Sequence, residues 1–324
     1  MNAADIVDTV IEAPVLTSFT KIGYAVRSRL DHWTPVEQYD LTGRNIVVTG
    51  ATSGLGRNAA ETLARLGAHV VVVGRDRHKT ALVASEIVTA TGSQFVSTGC
   101  ADLGDLNEVR ALAQMLLDGP PVDVLVHNAG ALSARRTVTE AGFESTVASQ
   151  VLGPFLLTSL LLPSLRSTPV GRVLTMSSGG MYTAGLTVGE LQMSEPSYRG
   201  SEQYARAKRA QVTLNEMWAA RVPASHVVFQ ALHPGWADTP GVEAALPTFR
   251  RIMRPLLRTT AEGSDTLVWL AADDGEPLTT TGGFWLDRRR RSIHKLPATR
   301  RSDTARRRAE LWNWCVEQTG SRID

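Results

Sequence analysis

Short β-branched runs alternate with stretches of helical apolar spacing through most of this chain. Asn45-Ile46-Val47-Val48-Thr49 is apolar at consecutive inner positions, the pattern of a strand covered on both faces, and Gly50 ends it. Ala59, Ala60, Leu63 and Leu66 then recur at helical spacing, and Gly67 stops that helix. The alternation continues with strands at 70–73, 95–98, 122–127, 172–176, 227–232 and 283–286. Between them the spacing predicts helices at 81–90, 109–117, 143–165, 203–221 and 263–271. Strands alternating with helices in this way imply an α/β fold, a parallel sheet with helices on both faces. Ligands of such sheets sit beyond the C-terminal ends of the strands.

Extensions flank that body. In residues 1–40, Ile6, Val7, Val10 and Ile11 cluster at helical spacing, which predicts a helical extension packed on the body. Residues 41–290 form one domain, with an apolar, helical lid expected at about 241–262. The long stretch between 178 and 204, with Leu186, Val188, Leu191 and Met193, is expected to form a flap. Residues 291–324 are a basic extension carrying a helix, with Ser302 as cap, Gly320 as stop, and Leu311, Trp312, Trp314 and Val316 as contacts. Exposed tryptophans are costly, so this helix should dock on the body or on a second copy of the chain.

Composition narrows the class. Hydrophobic residues make up 43% and charged residues 20%, as in soluble globular proteins. No stretch approaches the ~18 apolar residues of a membrane span, and the acidic start lacks a secretory pattern. Cys100 and Cys315 lie in no metal or redox cluster, so neither a zinc site nor a disulfide is expected, and a cytoplasmic setting is. The net charge of +2 is uneven: residues 287–324 carry +6 and the rest −4. A solvated extension explains the tail. Nucleic acid is not an expected partner, because the body is acidic and shows no recognition module. Peripheral membrane contact through the first helix ranks below packing.

The chemistry lies in two motifs. Thr49-Gly50-Ala51-Thr52-Ser53-Gly54-Leu55-Gly56 joins the first strand to the first helix of the body. Gly50 permits the tight turn, Gly54 lets a diphosphate approach, and Gly56 lets helix pack on strand. The fold this specifies is a single Rossmann-type doubly wound sheet. Tyr204 and Lys208, one helical turn apart, form the second motif. A nearby ammonium favours the phenolate and lowers a phenol's pKa from ~10. Tyr204 is thereby suited to exchange a proton with an alcohol or carbonyl. Ser178, at the end of a strand, is the candidate to polarise the substrate oxygen, with Ser177 the second choice. Tyr182 and Tyr198 lack a lysine four residues on and read as packing or pocket wall. After the second strand, Arg75 is placed to grip a ribose 2′-phosphate, which favours NADP(H). Asp76 keeps NAD(H) open.

The chain resembles the short-chain dehydrogenase/reductases, in the branch marked TGxxxGxG and YxxxK. The resemblance spans about 45–290 and includes Asp102-Leu103, His127-Asn128-Ala129-Gly130 (usually Asn-Asn-Ala-Gly), Ser178, Tyr204 with Lys208, and Pro234-Gly235. Ser177 to Met181, Lys208-Arg209 and His233 to Val242 mark a narrower group within it. The resemblance implies a nicotinamide-dependent oxidoreductase, and a homo-oligomer is expected; the apolar flap and lid residues suggest an apolar, fairly bulky alcohol, aldehyde or ketone as substrate, or else pack against each other or a neighbouring subunit. The resemblance implies cofactor contacts from Gly50, Thr52, Ser53, Gly54, Leu55, Gly56, Arg75, Asp102, Leu103, Asn128, Ala129, Gly130, Tyr204, Lys208, Pro234, Gly235 and Thr239. It implies catalytic roles for Ser178, Tyr204 and Lys208. Gln150 stands where the family usually has an asparagine serving the lysine. That departure admits a second reading, a cofactor-binding regulatory protein with little turnover.

Overall fold

Apolar side chains of the inner strands divide between two helical layers, so the sheet is buried on both sides. The computed structural model describes residues 3–322, so the outermost two residues of each extension lie outside it. The strands are β1 Asn45–Thr49, β2 His69–Gly74, β3 Val96–Cys100, β4 Val124–His127, β5 Gly171–Met176, β6 Val227–Leu232, β7 Gly283–Leu286 and β8 Arg289–Arg290. Their order is β3-β2-β1-β4-β5-β6-β7-β8. All neighbours are parallel except β7 and β8. The order reverses at β1, where Val47 lies between Val71 and Leu125.

Three helices precede the sheet: α1 Ala3–Glu12, α2 Val15–Phe19 and α3 Lys21–Leu30. Within the body come α4 Gly54–Arg65, α5 Arg77–Thr91, α6 Leu106–Leu117, α7 Ser145–Val147, α8 Gly153–Arg166 and α9 Gly200–Ala219. The short α10 Pro240–Ala245 and α11 Pro247–Met253 follow, then α12 Thr260–Ala272, α13 Glu276–Thr279, α14 Pro297–Ser302 and α15 Ala305–Thr319. Val47, Leu125 and Val173 pack with α6, α8, α9 and α15. Ile46, Val48, Val124 and Leu174 pack with α4, α5 and α12. This is the period-two alternation of strand side chains.

The expected lid range of 241–262 runs too far. Thr259 and Glu262 form a reciprocal cap, so α12 begins at Thr260. The apolar flap residues turn inward: Leu186, Leu191 and Met193 are buried rather than facing an open pocket. Thr304, not Ser302, caps the C-terminal helix, accepting from the Arg307 N–H. Ser302 instead accepts from the Leu186 N–H at 2.9 Å and fastens the flap. The helix docks on this chain's own core, with the Trp312 ring 4.8 Å from that of Trp218 and 5.1 Å from that of Phe155.

The expectation that no segment could span a membrane also needs correction. Ser145–Arg166 is a continuous 22-residue helical stretch with mean hydropathy 1.5 over its most apolar window. By length and composition it qualifies, but 78% of that window is buried inside the protein. It is apolar because it packs against both the sheet and neighbouring helices.

The charge asymmetry resolves into ion pairs within the chain. Arg27, fully buried, donates to Asp8 at 2.7 Å, to Asp287 at 2.7 Å and to Glu12 at 2.9 Å. Arg258 donates to both Asp287 oxygens, to Oδ1 at 2.5 Å and to Oδ2, which it shares with Arg27, at 2.8 Å. Arg288 pairs with Asp265, Arg289 with Asp31, and Arg291 with Asp8. Arg288, Arg289 and Arg291 are thus turned onto acids of the N-terminal extension and α12, while Arg290 is exposed. The β7–β8 turn accepts left-handed backbone at both Asp287 (φ 54°) and Arg288 (φ 52°), as a tight hairpin requires.

Removing one partner of a buried pair leaves uncompensated charge. Asp287→Ala should cost about 3–5 kcal/mol in urea unfolding. Glu317→Ala, an exposed control, should stay within about 0.5 kcal/mol. Equal effects in the two variants would contradict the ionic lock.

Candidate active site

The crevice starts where β1 and β4 end side by side. Thr49 Oγ1 donates to the Val126 carbonyl at 3.0 Å and accepts from the N–H groups of Asn128 and Ala129 at 3.1 and 3.2 Å. Asn128 Nδ2 donates to the carbonyls of Thr49 and Gly50 at 3.0 and 3.2 Å. The turn at 50–56 is therefore tied to β4 on one side. Glycine is required at two of its positions. Gly50 has φ +65°, and a side-chain carbon there would lie 2.7 Å from Ala129 Cα. At Gly56 it would lie 2.2 Å from Asn128 Nδ2 and 2.5 Å from the Gly50 carbonyl.

The N-terminus of α4 differs from its neighbours. Asp76 caps α5 and Asp105 caps α6 with side-chain hydrogen bonds, whereas Ser53 makes none to α4. The first N–H groups of α4 therefore have no side-chain cap, and the helix end offers partial positive charge. A side-chain carbon on Gly54 (φ +55°) would meet Thr239 Cβ at 3.5 Å, in ordinary contact. Thr239 itself caps α10 through the Val242 N–H at 3.2 Å. The turn after β1 and the turn after β6 thus face each other.

Around this groove the expected cofactor residues take different postures. Arg75, Asp76 and Arg77 are exposed beyond β2. The Asp76 carboxylate is occupied by the Lys79 N–H at 2.8 Å. Among the described residues, neither Arg75 nor Arg77 has an acidic partner. Asp102 is exposed past β3 and accepts from the Gly104 N–H at 2.8 Å. Asp105, not Asp102, is the helix cap. The Leu103 side chain is buried in the core. Pro234 and Gly235 lie against Arg258, and a side chain on Gly235 would lie 2.4 Å from Arg258 Nε.

The catalytic candidates converge at the ends of β4 and β5. Ser178, at the end of β5, lies close enough to the Tyr204 phenol of α9 for its hydroxyl to lower the phenol's pKa. Ser177 is separated from it: buried, it donates to the Lys208 carbonyl at 3.3 Å. Lys208 Nζ lies 5.4 Å from the Tyr204 ring centroid and donates to the Met176 carbonyl at 2.8 Å. Gln150 sits in a π-helical turn, Ala148–Leu152, between α7 and α8. Such turns re-aim a side chain within a helix and recur at functional sites. A side-chain carbon on Gly130 would lie 3.0 Å from Gln150 Oε1 and 3.1 Å from Lys208 Nζ. Glycine at 130 thus keeps open the space that both groups border.

Protein groups alone do not lower the phenol as expected. Burial pushes Tyr204 up to about 12, partly offset by the Ser178 hydroxyl. Burial also depresses Lys208 to about 7. Burial and the Ser178 hydroxyl, rather than Lys208, set the phenol here. His127, in the position where asparagine is usual, is buried, with Nε2 2.7 Å from Thr158 Oγ1. Burial holds it at about 3, hence neutral.

Tyr182 donates to the Ser292 carbonyl at 2.8 Å and Tyr198 to the Ser133 carbonyl at 3.3 Å, so both act in packing. Phe19 was not legible as a site residue. It comes from the N-terminal extension, its ring would be 2.5 Å from a side-chain carbon on Gly179, and its carbonyl accepts from the Trp236 N–H at 2.7 Å. No local pattern links it to residues so far along the chain.

Gly56→Ala should cost about 1–3 kcal/mol of stability by overpacking and weaken NADPH binding. Gly189→Ala, where nothing lies within 4 Å, should do neither. Thermal unfolding and a fluorescence titration measure both, and an unaltered Gly56→Ala protein would contradict the tie.

A family model described as short chain dehydrogenase matches residues 44–248. Dehydrogenase/reductase SDR family member 12 from Homo sapiens is 36% identical over 292 residues, covering 90% of each chain. Retinol dehydrogenase 12 from Bos taurus is 34% identical over 286 residues, covering 87% of this chain and 88% of that protein. Among solved structures, one from Escherichia coli CFT073, assigned to the short chain dehydrogenases and complexed with NADPH, is similar with a TM-score of 0.63. It is 27% identical and covers 79% of this chain and 100% of its own.

Proposed function

The chain belongs to the short-chain dehydrogenase/reductase family, and we propose that it is an NADP(H)-dependent oxidoreductase acting on an apolar alcohol or carbonyl, with Tyr204 as acid and base. Membership makes it an oxidoreductase of small molecules bearing CH–OH or C=O groups, served by a nicotinamide cofactor. The single observation that carries the finer reading is the meeting of Ser178, Tyr204, Lys208 and Gln150 beside a helix end that no side chain caps.

The residues present fit such a cofactor. The uncapped start of α4 and the glycine at 54, which puts no side chain between this turn and Thr239, suit a diphosphate. Thr52, Ser53, Gly54, Leu55 and Gly56 would surround it. Asn128, Ala129 and Gly130 would line one wall, and Pro234, Gly235 and Thr239 the other. Asp102 would serve the adenine end, and Leu103 would contribute through its backbone. Unpaired Arg75 and Arg77, beside an Asp76 already engaged as a cap, support NADP(H) over NAD(H). Bound there, the nicotinamide supplies or takes up hydride.

The chain's own residues handle the proton. A phenol held neutral by burial is the form that donates to a carbonyl oxygen. In this reading Ser178 hydrogen-bonds both the phenol and the substrate oxygen, fixing their separation. Lys208 borders the same space, anchored by the Met176 carbonyl. Relatives named for retinol, an apolar alcohol, support the substrate class. Exposed Leu246 and Ile252 on the lid agree with it.

Tyr204→Phe should lower turnover at least ~10²-fold while NADPH still binds. Unchanged turnover would remove the proposed acid. Should the wild-type chain bind NADPH yet turn over nothing in a panel of apolar aldehydes, ketones and quinones, the regulatory reading replaces the catalytic one. Arg75→Ala should reduce the NADPH-to-NADH ratio of kcat/KM by about tenfold or more, the value of one charged hydrogen bond. A ratio that does not move would defeat the assignment of Arg75.

A further inference from the structure

Behind the catalytic groups, α9 carries a polar stripe where an apolar one is expected. Tyr204, Lys208, Gln211 and Asn215 recur at spacings of four, three and four, and so share one face. That face is turned into the protein: Lys208 is 1%, Gln211 4% and Asn215 4% exposed. Opposite them stand His127 from β4, Thr158 from α8 and Gln150 from the π turn. His127, Thr158, Gln150, Gln211 and Asn215 border a cavity of about 30 Å³ between the sheet and α8–α9, and Lys208 lies outside its lining.

Four residues lining that cavity carry a buried polar atom with no hydrogen-bond partner: His127 Nδ1, Gln150 Oε1, Gln211 Oε1 and Asn215 Oδ1. Each side chain is anchored by its other polar atom. Gln150 Nε2 donates to the Ala131 carbonyl at 2.8 Å, and Gln211 Nε2 to the Gln150 carbonyl at 2.6 Å. Asn215 Nδ2 donates to the Gly283 carbonyl at 3.3 Å, and His127 Nε2 meets Thr158 Oγ1. Buried polar atoms left in this state are strongly disfavoured. A water needs ≳10–15 Å³ and two to four polar partners, so a cavity of this size takes about two.

We propose that this cavity is an internal hydration site in which His127, Gln211 and Asn215 hold a pair of ordered waters that seat the Gln150 carboxamide beside Lys208. Hydrogen bonding is satisfied throughout. Two waters joined to each other keep three O–H groups, one for each free carboxamide oxygen of Gln150, Gln211 and Asn215. They accept from His127 Nδ1–H, with His127 Nε2 accepting from the Thr158 hydroxyl. Gln211, His127 and Asn215 are positioning residues in this scheme. They act through Gln150, whose oxygen borders the same Gly130 space as the Lys208 ammonium. An acceptor held there favours the charged lysine. The proposal rests on Lys208 being part of the site.

The groups that face Lys208 are few. Tyr204 lies on its own helix, and His127, from β4, lines the cavity together with Gln150. Next to Lys208, β5 presents the Met176 carbonyl and the π turn a neutral carboxamide. Burial is the one cause that depresses Lys208.

The test uses the full chain without substrate. The chain has four lysines, at 21, 79, 208 and 295, so ¹³Cε-labelled lysine gives few signals to titrate. In the wild-type chain Lys208 should titrate above about 7. In Gln211→Met, and separately in Asn215→Leu, its midpoint should fall by about one pH unit, a tenfold change, while the other three stay. Gln211→Asn, which keeps the carboxamide, should restore part of the shift. A wild-type crystal structure should show two waters in the cavity. A dry cavity, or a Lys208 midpoint that both variants leave in place, overturns the proposal. Tyr204→Phe should leave this titration intact, so loss of the catalytic reading and loss of the hydration site give different results.

Discussion

Asn128 and Thr49 fasten the ends of β1 and β4, and the crevice is built outward from that fastening. A turn with free N–H groups is useful for holding an anion only if its backbone is held by something other than those groups. Here the carboxamide of Asn128 takes the carbonyls of Thr49 and Gly50, and the Thr49 hydroxyl takes the amides of residues 128 and 129. The amides that begin α4 are left over. Gly50 and Gly56 are glycine because the fastening leaves no room for a side chain.

A second constraint acts at the far edge of the sheet. Charged residues of the N-terminal extension and of the β7–β8 turn are buried together, and each must find a counter-charge. Asp287 lies between Arg27 and Arg258, which joins the extension, the hairpin and the base of the lid. Phe19 is delivered by the same extension to the back of the Ser178–Gly180 turn. The extension is therefore part of the wall behind the site.

Much of this was legible in the sequence, for physical reasons that can be named. β1, β6 and β7 came out at their observed bounds because strands buried on both faces are apolar without interruption. The starts of α5, α6 and α12 were placed too late. Capping by Asp76, Asp105 and Thr259 sets these starts before the apolar spacing becomes regular: α5 and α12 open on polar or small residues, and α6 on a lone Leu106. Ser178, Tyr204, Lys208 and the glycine turn could be read because their spacing is short. The π turn at Gln150 and the cavity behind it could not, since one extra residue in a helical turn leaves no trace in apolar periodicity. The arginines at 288–291 were read as a solvated tail because charge is normally exposed. Only the fold shows that acids from residues 5–31 and Asp265 meet Arg288, Arg289 and Arg291, while Arg290 stays exposed.

The central claim is spatial: the phenol of Tyr204, the hydroxyl of Ser178 and the uncapped end of α4 serve one bound dinucleotide. A crystal structure of the chain with NADP⁺ tests this most directly. The diphosphate should lie on the first N–H groups of α4, with the nicotinamide between Gly130 and Thr239 and its reactive face toward Tyr204 Oη. A cofactor bound away from α4, or a ring turned from Tyr204 with Ser178 out of reach, would contradict the account.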